Sequence, residues 1–256
     1  MINMFKEELF KIVRRRKTLY VLMFTAIAHV IVMISIAYLD SHSDRAVEGL
    51  FQEKNAHGIF GLTRILVMLW TVIPIGQELS HGYVNRAVLS TSRNRYFMSK
   101  LVFCSMLSIF FAALGLVSFW ASIRCSAFSA IEIDGAFVVQ YAVQLLLANL
   151  LYSFAYMGLV FTIRSPMAAG LTAYFWPQVE AISREICKGE LHIDLYWLPF
   201  QLVESVHMKP SSGNSLYDYV PLNNPLALVP PLVVMAILTY LSYRWFLKRD
   251  LTVISD

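Results

Sequence analysis

The feature that most constrains this sequence is a set of long runs without a charged residue. Residues 18–39 and 101–123 hold 22 and 23 consecutive uncharged residues, and residues 135–163 form a third such run. Because a helix rises about 1.5 Å per residue, about 20 apolar residues cross the hydrocarbon core of a bilayer. The chain is 57% hydrophobic and 15% charged, whereas soluble domains carry about 25% charged residues. We therefore expect an all-α polytopic membrane protein, and the same composition excludes an intrinsically disordered chain.

Charged residues divide the chain into six predicted transmembrane helices. We place these spans at residues 18–39, 57–77, 101–123, 138–163, 165–182 and 222–244. An even number of spans puts both termini on the same side of the membrane. If that side is the cytoplasm, it holds 14 of the 21 basic residues and 5 of the 17 acidic residues. The positive-inside rule therefore predicts that both termini are cytoplasmic and that the chain is a multi-pass protein of the cell membrane.

The N-terminal residues 1–17 have the pattern of an amphipathic helix. Phe5, Leu9, Ile12 and Val13 recur at the spacing of one helix face, and charged residues occupy the opposite face. Such a helix lies in the membrane interface, with its basic residues near anionic lipid headgroups. The alternative is a solvated, positively charged tail.

Residues 78–100 form the longest predicted cytoplasmic loop. An acidic residue closes the second span, a glycine permits a sharp turn, residues 83–90 could form a short helix, and Ser92 or Asn94 could cap the third span. A short helix held between two spans would act as a lever on which a cytoplasmic partner could push. An ordinary basic loop is the alternative. The candidate coupling residues are Glu78, Gly82, Tyr83, Val84, Asn85, Arg86, Ser90, Arg93 and Arg95.

The predicted outer segment, residues 183–220, contains apolar pieces that are too short to cross a membrane. Trp197, Pro199 and Phe200 indicate a broken helix that re-enters the outer leaflet, and these residues are candidates for an outer gate. A surface strand or loop remains open as the alternative.

Polar and aromatic residues inside the spans are candidates for a substrate path. Arg64 is the one charged residue of the second span, and charges there usually face a cavity or a partner. We add Trp70, Tyr174 and Trp176, although ordinary helix packing is the more common role of such tryptophans. His29 is expected to be a packed, hydrogen-bonded residue rather than a ligand.

Several kinds of chemistry have no support in the sequence. It contains no GxxxxGK[ST] phosphate loop, no HExxH zinc motif and no GxSxG nucleophile motif. The basic residues lie at span ends rather than in one patch, which disfavours nucleic-acid binding. We expect no enzymatic activity, metal or cofactor in this chain itself. A disulfide between Cys125 and Cys187 is possible, but two free thiols are favoured.

The pattern around Glu78 resembles that of the ABC-2 type permeases, the membrane subunits of ATP-binding-cassette exporters. Members commonly carry a Glu at the end of the second span, a Gly-containing turn, a short coupling helix, and a Ser-Arg pair before a Lys that opens the third span. Here these positions are Glu78, Gly82, the stretch to Ser90, Ser92-Arg93 and Lys100. Residues 80–81 are Ser-His where the family often has Gly-Thr. The basic N-terminal helix resembles the family's elbow helix, and the outer segment resembles its re-entrant helices.

The resemblance implies a function and a set of partners. Two permease chains, identical or sister chains, would pair above two cytoplasmic ATPase subunits that bind ATP and Mg²⁺. Spans two and five would line the path of a hydrophobic or amphipathic substrate, most simply a peptide toxin or antimicrobial peptide exported across a bacterial plasma membrane. Two alternatives remain. One is a substrate-binding membrane subunit of an uptake system or a non-transporting membrane anchor or sensor, and the other is an intramembrane enzyme using Glu180 and Arg184.

Overall fold

The computed structural model describes residues 6, 10, 16–42, 48–80, 92–127, 135–163, 165–192 and 229–248. Within these residues the chain forms six helices and no strand. The helices are α1 (Arg16–Ser41), α2 (Glu48–Ser80), α3 (Arg93–Arg124), α4 (Gly135–Thr162), α5 (Pro166–Glu190) and α6 (Val229–Lys248). Each helix overlaps one of the six predicted spans, so the prediction of an all-helical chain is confirmed at this level.

Four helical stretches of the described residues are long and apolar enough to cross a membrane. They are Arg16–Ser41, Gly58–Leu79, Arg93–Arg124 and Tyr141–Thr162. Every backbone hydrogen bond of a helix is made within the helix, which is what a hydrocarbon environment requires of a spanning segment. The helices therefore have the architecture of a membrane protein.

The ends of α2 and α3 differ from the predicted spans. Helix α3 begins at Arg93, before the span predicted from residue 101. The predicted cap at Ser92 is confirmed, because its side chain accepts a hydrogen bond from the Arg95 backbone N–H. Helix α2 continues to Ser80, so Glu78 lies in its last turn. Three candidate coupling residues of the predicted loop 78–100 therefore lie in helices: Glu78, Arg93 and Arg95.

The N-terminal end of α2 and the C-terminal end of α5 also extend beyond the predicted spans. Helix α2 begins at Glu48 rather than at residue 57, and α5 continues to Glu190 rather than ending at residue 182. Residues 183–190 of the predicted re-entrant segment are thus part of α5. Other predicted site residues lie outside the described residues: Phe5, Leu9, Ile12, Val13, Gly82, Tyr83, Val84, Asn85, Arg86, Ser90, Trp197, Pro199 and Phe200.

Helix α4 lies at the centre of the bundle and packs against α2, α3, α5 and α6. Helices α3 and α4 approach closely at Gly115, where an added Cβ would lie 2.5 Å from Leu145 Cδ2. Helices α4 and α6 do the same at Gly158, where a Cβ would lie 2.7 Å from Ser242 Oγ. Small residues at such positions let helix backbones pack tightly in a membrane, where water supplies no hydrophobic drive for association.

Serine side chains of α3 join it to the neighbouring helices. Ser118 Oγ lies 2.8 Å from His29 Nδ1 of α1, and both side chains are buried. Ser122 accepts a hydrogen bond from Asn55 of α2, and Ser108 donates one to the Asn149 carbonyl of α4 at 3.0 Å. Polar contacts of this kind hold transmembrane helices together. The prediction that His29 is packed and hydrogen-bonded is confirmed.

Candidate functional site: the joined ends of α2 and α3

A buried ion pair connects the last turn of α2 to α3. Lys100 Nζ lies 2.8 Å from Glu78 Oε2, and the lysine side chain is 2% exposed whereas the glutamate is 22% exposed. The Tyr96 hydroxyl, one turn before Lys100, donates a hydrogen bond of 2.9 Å to the same carboxylate oxygen. The carboxylate thus neutralises a lysine that has almost no access to solvent. A buried charge without such a partner would be costly.

Aromatic rings surround the same lysine. Lys100 Nζ lies 5.2 Å from the ring centroid of Tyr96 and 5.7 Å from that of Phe103. A cation over the face of an aromatic ring is attracted by the electron density of that face. The ammonium group therefore contacts the Glu78 carboxylate of α2 and the Tyr96 and Phe103 rings of α3.

An aromatic cluster extends this site to α4 and α6. Phe97 of α3 lies 5.1 Å from Phe161 of α4 and 5.1 Å from Tyr243 of α6, measured between ring centroids. Phe161 and Phe246 are 4.9 Å apart, and Tyr96 contacts both of them. Aromatic pairs at these distances contribute about 0.5–1.5 kcal/mol beyond their buried area. We call this region the Glu78 end; it comprises Glu78, residues 93–103, Phe161 and residues 243–247.

Arg93 makes a second link from α3 to α6. Its guanidinium donates a hydrogen bond of 2.6 Å to the backbone carbonyl of Leu247, in the last turn of α6. Hydrogen bonds with a charged donor are shorter and stronger than neutral ones. At the Glu78 end, α2, α3, α4 and α6 are thus joined by contacts of their side chains.

A separate apolar groove of about 330 Å³ lies between α2 and α5. Its outline is set by a close helix contact, because an added Cβ at Gly76 would lie 2.8 Å from Pro166 Cβ, whereas one at Gly170 would have an ordinary contact of 3.7 Å with Val72. Pockets of roughly 300–1,000 Å³ with apolar walls are typical of small-ligand sites. The lining residues are Met68, Leu69, Val72, Ile73, Pro166, Met167, Gly170, Leu171 and Tyr174.

Of the four residues predicted for the substrate path, the structure places only Tyr174 in this groove. Arg64 instead contacts α4: its guanidinium lies 3.3 Å from the Tyr152 hydroxyl and 5.5 Å from the centroid of that ring. Trp70 is half-buried against the core. Trp176 is half exposed, and its indole N–H donates a hydrogen bond to Glu180.

Other groups do not point to metal or disulfide chemistry in the described part of the chain. Cys104, Cys125 and Cys187 are free cysteines. Within the described ranges, no group of three His, Cys, Asp or Glu side chains could hold a metal ion.

Reasoning from sequence missed Tyr96, Phe97 and their aromatic partners. The available signal was indirect: opposite charges, Glu78 and Lys100, stand at the two ends of the predicted loop 78–100. The groove was missed because its residues recur every four positions on two helices, at 68 and 72 and at 166, 170 and 174. That spacing shows a shared face but not which helix packs against it.

Comparison with known proteins identifies no family for this chain. A scan against protein-family models finds no match, and a search of curated proteins finds no match either. The resemblance to ABC-2 type permeases therefore depends on the residues named above.

Proposed function

We propose that this chain is the transmembrane permease subunit of an ATP-binding-cassette exporter of the ABC-2 type. The observation that carries the proposal is the Glu78–Lys100 ion pair with its Tyr96 hydrogen bond. These residues stand on either side of residues 81–91, the segment that contains most of the predicted coupling residues. In this proposal, a cytoplasmic ATPase subunit contacts that segment, and both termini face the cytoplasm.

The linked helix ends suit the transmission of force. A push on a loose loop would be absorbed by bending of the loop itself. Here the helices on both sides of residues 81–91 are joined by a buried ion pair, and α3 is joined further to α4 and α6 by packed rings. Closely packed interiors transmit displacement rather than absorb it. Displacement of residues 81–91 should therefore move the ends of four helices together.

The groove between α2 and α5 supports the proposal that the substrate is hydrophobic or amphipathic. Its walls are formed by aliphatic and methionine side chains, with Tyr174 as the polar-tipped member. We propose an exported toxin or antimicrobial peptide as the cargo, moved across a bacterial plasma membrane. Two such chains, or one with a sister permease, would work with two ATPase subunits that bind ATP and Mg²⁺, and the surrounding lipid would be the other partner. This chain would bind no nucleotide, metal or nucleic acid.

The test is to isolate the tagged full-length chain from its native membrane in a mild detergent. Mass spectrometry should identify a co-purifying subunit with a phosphate-loop motif, and the complex should hydrolyse ATP in the presence of Mg²⁺. Absence of such a subunit in the mild-detergent preparation would overturn the proposal.

Two charge reversals on α3 locate the contact. Arg95 and Arg124 are exposed arginines near opposite ends of this helix. If the ATPase contacts the Glu78 end, Arg95→Glu should reduce the recovered ATPase about tenfold, corresponding to a loss of about 1.4 kcal/mol. Arg124→Glu, the matched control, should leave recovery unchanged. Equal recovery with both variants would contradict the location of the contact.

A further inference from the structure

The first turn of α3 has an unusual charge for a helix N-terminus. It contains Arg93 and Arg95 and no acidic residue. The aligned peptide dipoles of a helix place partial positive charge at its N-terminus, which disfavours cations there. Arg93 is half-buried as well, so its position calls for a compensating partner.

The end of α6 provides that partner. The last four carbonyl groups of a helix have no donor within the helix, and the end carries partial negative charge. The Leu247 carbonyl belongs to this last turn and accepts a hydrogen bond of 2.6 Å from the Arg93 guanidinium. Arg93 therefore acts as a C-terminal cap for a helix that is distant in sequence.

We propose that Arg93 is a positioning residue that joins α6 to α3, so that the end of α6 follows any displacement of the start of α3. The contacts beside it act in the same direction. Phe97 packs on Tyr243 at 5.1 Å and on Phe246 at 6.3 Å, and Phe246 is fully buried. That an ATPase subunit causes the displacement rests on the proposed function, but the link between α3 and α6 does not.

The Arg93 link would let α6 respond to displacement of α3, which its packing on α4 alone would not. Helix α6 packs mainly on α4, and its buried residues Met235, Ser242 and Phe246 form one stripe along the helix. Because Phe246 adjoins Leu247, a pull on that carbonyl acts directly on the stripe that packs in the bundle. A displacement at residues 81–91 would thus reach α6 through Arg93.

The experiment measures the distance between the two helix ends in the isolated full-length chain. The natural cysteines are replaced (Cys104→Ala, Cys125→Ser, Cys187→Ser), and spin labels are attached at Asn94→Cys and Lys248→Cys, both exposed positions. Pulsed electron–electron double resonance then reports the distribution of distances. The labelled parent chain should give one narrow distribution.

Arg93→Gln should raise the separated population about tenfold or more, because the loss of a hydrogen bond to a charged group changes an equilibrium by at least that factor. Arg93→Lys, which keeps the charge but lacks the planar guanidinium, should broaden the distribution less. Arg95→Gln removes the same charge from the same turn and should leave the distribution narrow. An unchanged distribution in Arg93→Gln, or equal broadening in Arg95→Gln, would overturn the proposal.

This measurement needs no ATPase, so the two proposals fail separately. If no ATPase co-purifies but Arg93→Gln separates the helix ends, the link stands and the permease function fails. If an ATPase co-purifies and Arg93→Gln leaves the distances unchanged, the function stands and the link fails.

Discussion

Removal of the Glu78 carboxylate should destabilise the protein more than removal of its partner, Lys100. The two side chains form the ion pair of 2.8 Å, but they differ in access to solvent: Lys100 is 2% exposed and Glu78 is 22% exposed. In Glu78→Gln, a buried ammonium group loses the anion that neutralises it. In Lys100→Met, the remaining carboxylate can still reach water, and methionine fills the volume of the lysine stem.

The magnitudes follow from the burial of each partner. At an effective dielectric constant of about 20, unit charges 2.8 Å apart attract by roughly 6 kcal/mol. Desolvation of the lysine offsets several kcal/mol of this, so the net value of the pair against an apolar replacement is near zero. We expect Glu78→Gln to lower the free energy of unfolding by about 3 kcal/mol, the lower part of the range for breaking a buried pair. Lys100→Met should cost about 1 kcal/mol, the scale of a hydrogen bond lost from an accessible group.

The double variant Glu78→Gln/Lys100→Met distinguishes the loss of the ion pair from other effects of the two substitutions. Once the ammonium group is gone, the loss of the carboxylate should cost little, so the double variant should be about as stable as Lys100→Met. Thermal denaturation of the purified chain in detergent, followed by size-exclusion chromatography, provides the measurement. About 3 kcal/mol corresponds to a midpoint lowered by roughly 6–12 °C. Additive losses in the double variant, or a midpoint of Glu78→Gln equal to that of the parent, would refute this reasoning.

Two further predictions concern helix packing and use the same denaturation assay. Gly115→Val should lower the free energy of unfolding by about 2 kcal/mol or more, because even its Cβ would lie 2.5 Å from Leu145 Cδ2 and overpacking typically costs about 1–3 kcal/mol. The matched control is Gly61→Val, which should be tolerated because nothing lies within 4 Å of a Cβ added at that helical position. Ser118→Ala should cost about 0.6–1.7 kcal/mol by removing the partner of His29, and a loss of zero would show that this contact does not hold α1 to α3.

The positions of the helices were predictable because hydrophobic composition is a local property. Runs such as residues 18–39 and 101–123 are too long and too apolar to be anything other than buried or lipid-facing helix. The helix ends depend on other signals: Ser92 was one of two candidate caps and is the one that begins α3, but the charge at Lys100 was misleading. Lys100 looked like the residue that stops an apolar run, but α3 continues past it toward Arg93, because Glu78 on another helix neutralises the charge.

The candidate site is formed by contacts between residues that are far apart in the sequence. The Arg93 guanidinium meets a carbonyl 154 positions away, and Arg64 meets Tyr152, 88 positions away. The pattern of charged residues placed Arg64 in a predicted span that overlaps α2, but it did not show whether the side chain would face α4 or α5, since both helices pack against α2. In the structure Arg64 faces α4, whereas the side of α2 that faces α5 has Gly76 against Pro166 and the groove beside Val72.

The basic residues at the Glu78 end are of two kinds: some are explained by their position in the sequence alone, and others only by contacts with another helix. Basic residues at span ends need only the positive-inside rule, and Arg95, exposed in the first turn of α3, fits that account. Lys100 and Arg93 do not, because Lys100 is buried, Arg93 is half-buried, and each binds an oxygen on a different helix. Since a buried cation destabilises a bundle unless its partner stays in place, these two residues make the relative positions of α2, α3 and α6 interdependent. The proposed function would require that interdependence, because a push from an ATPase subunit would have to reach several helices.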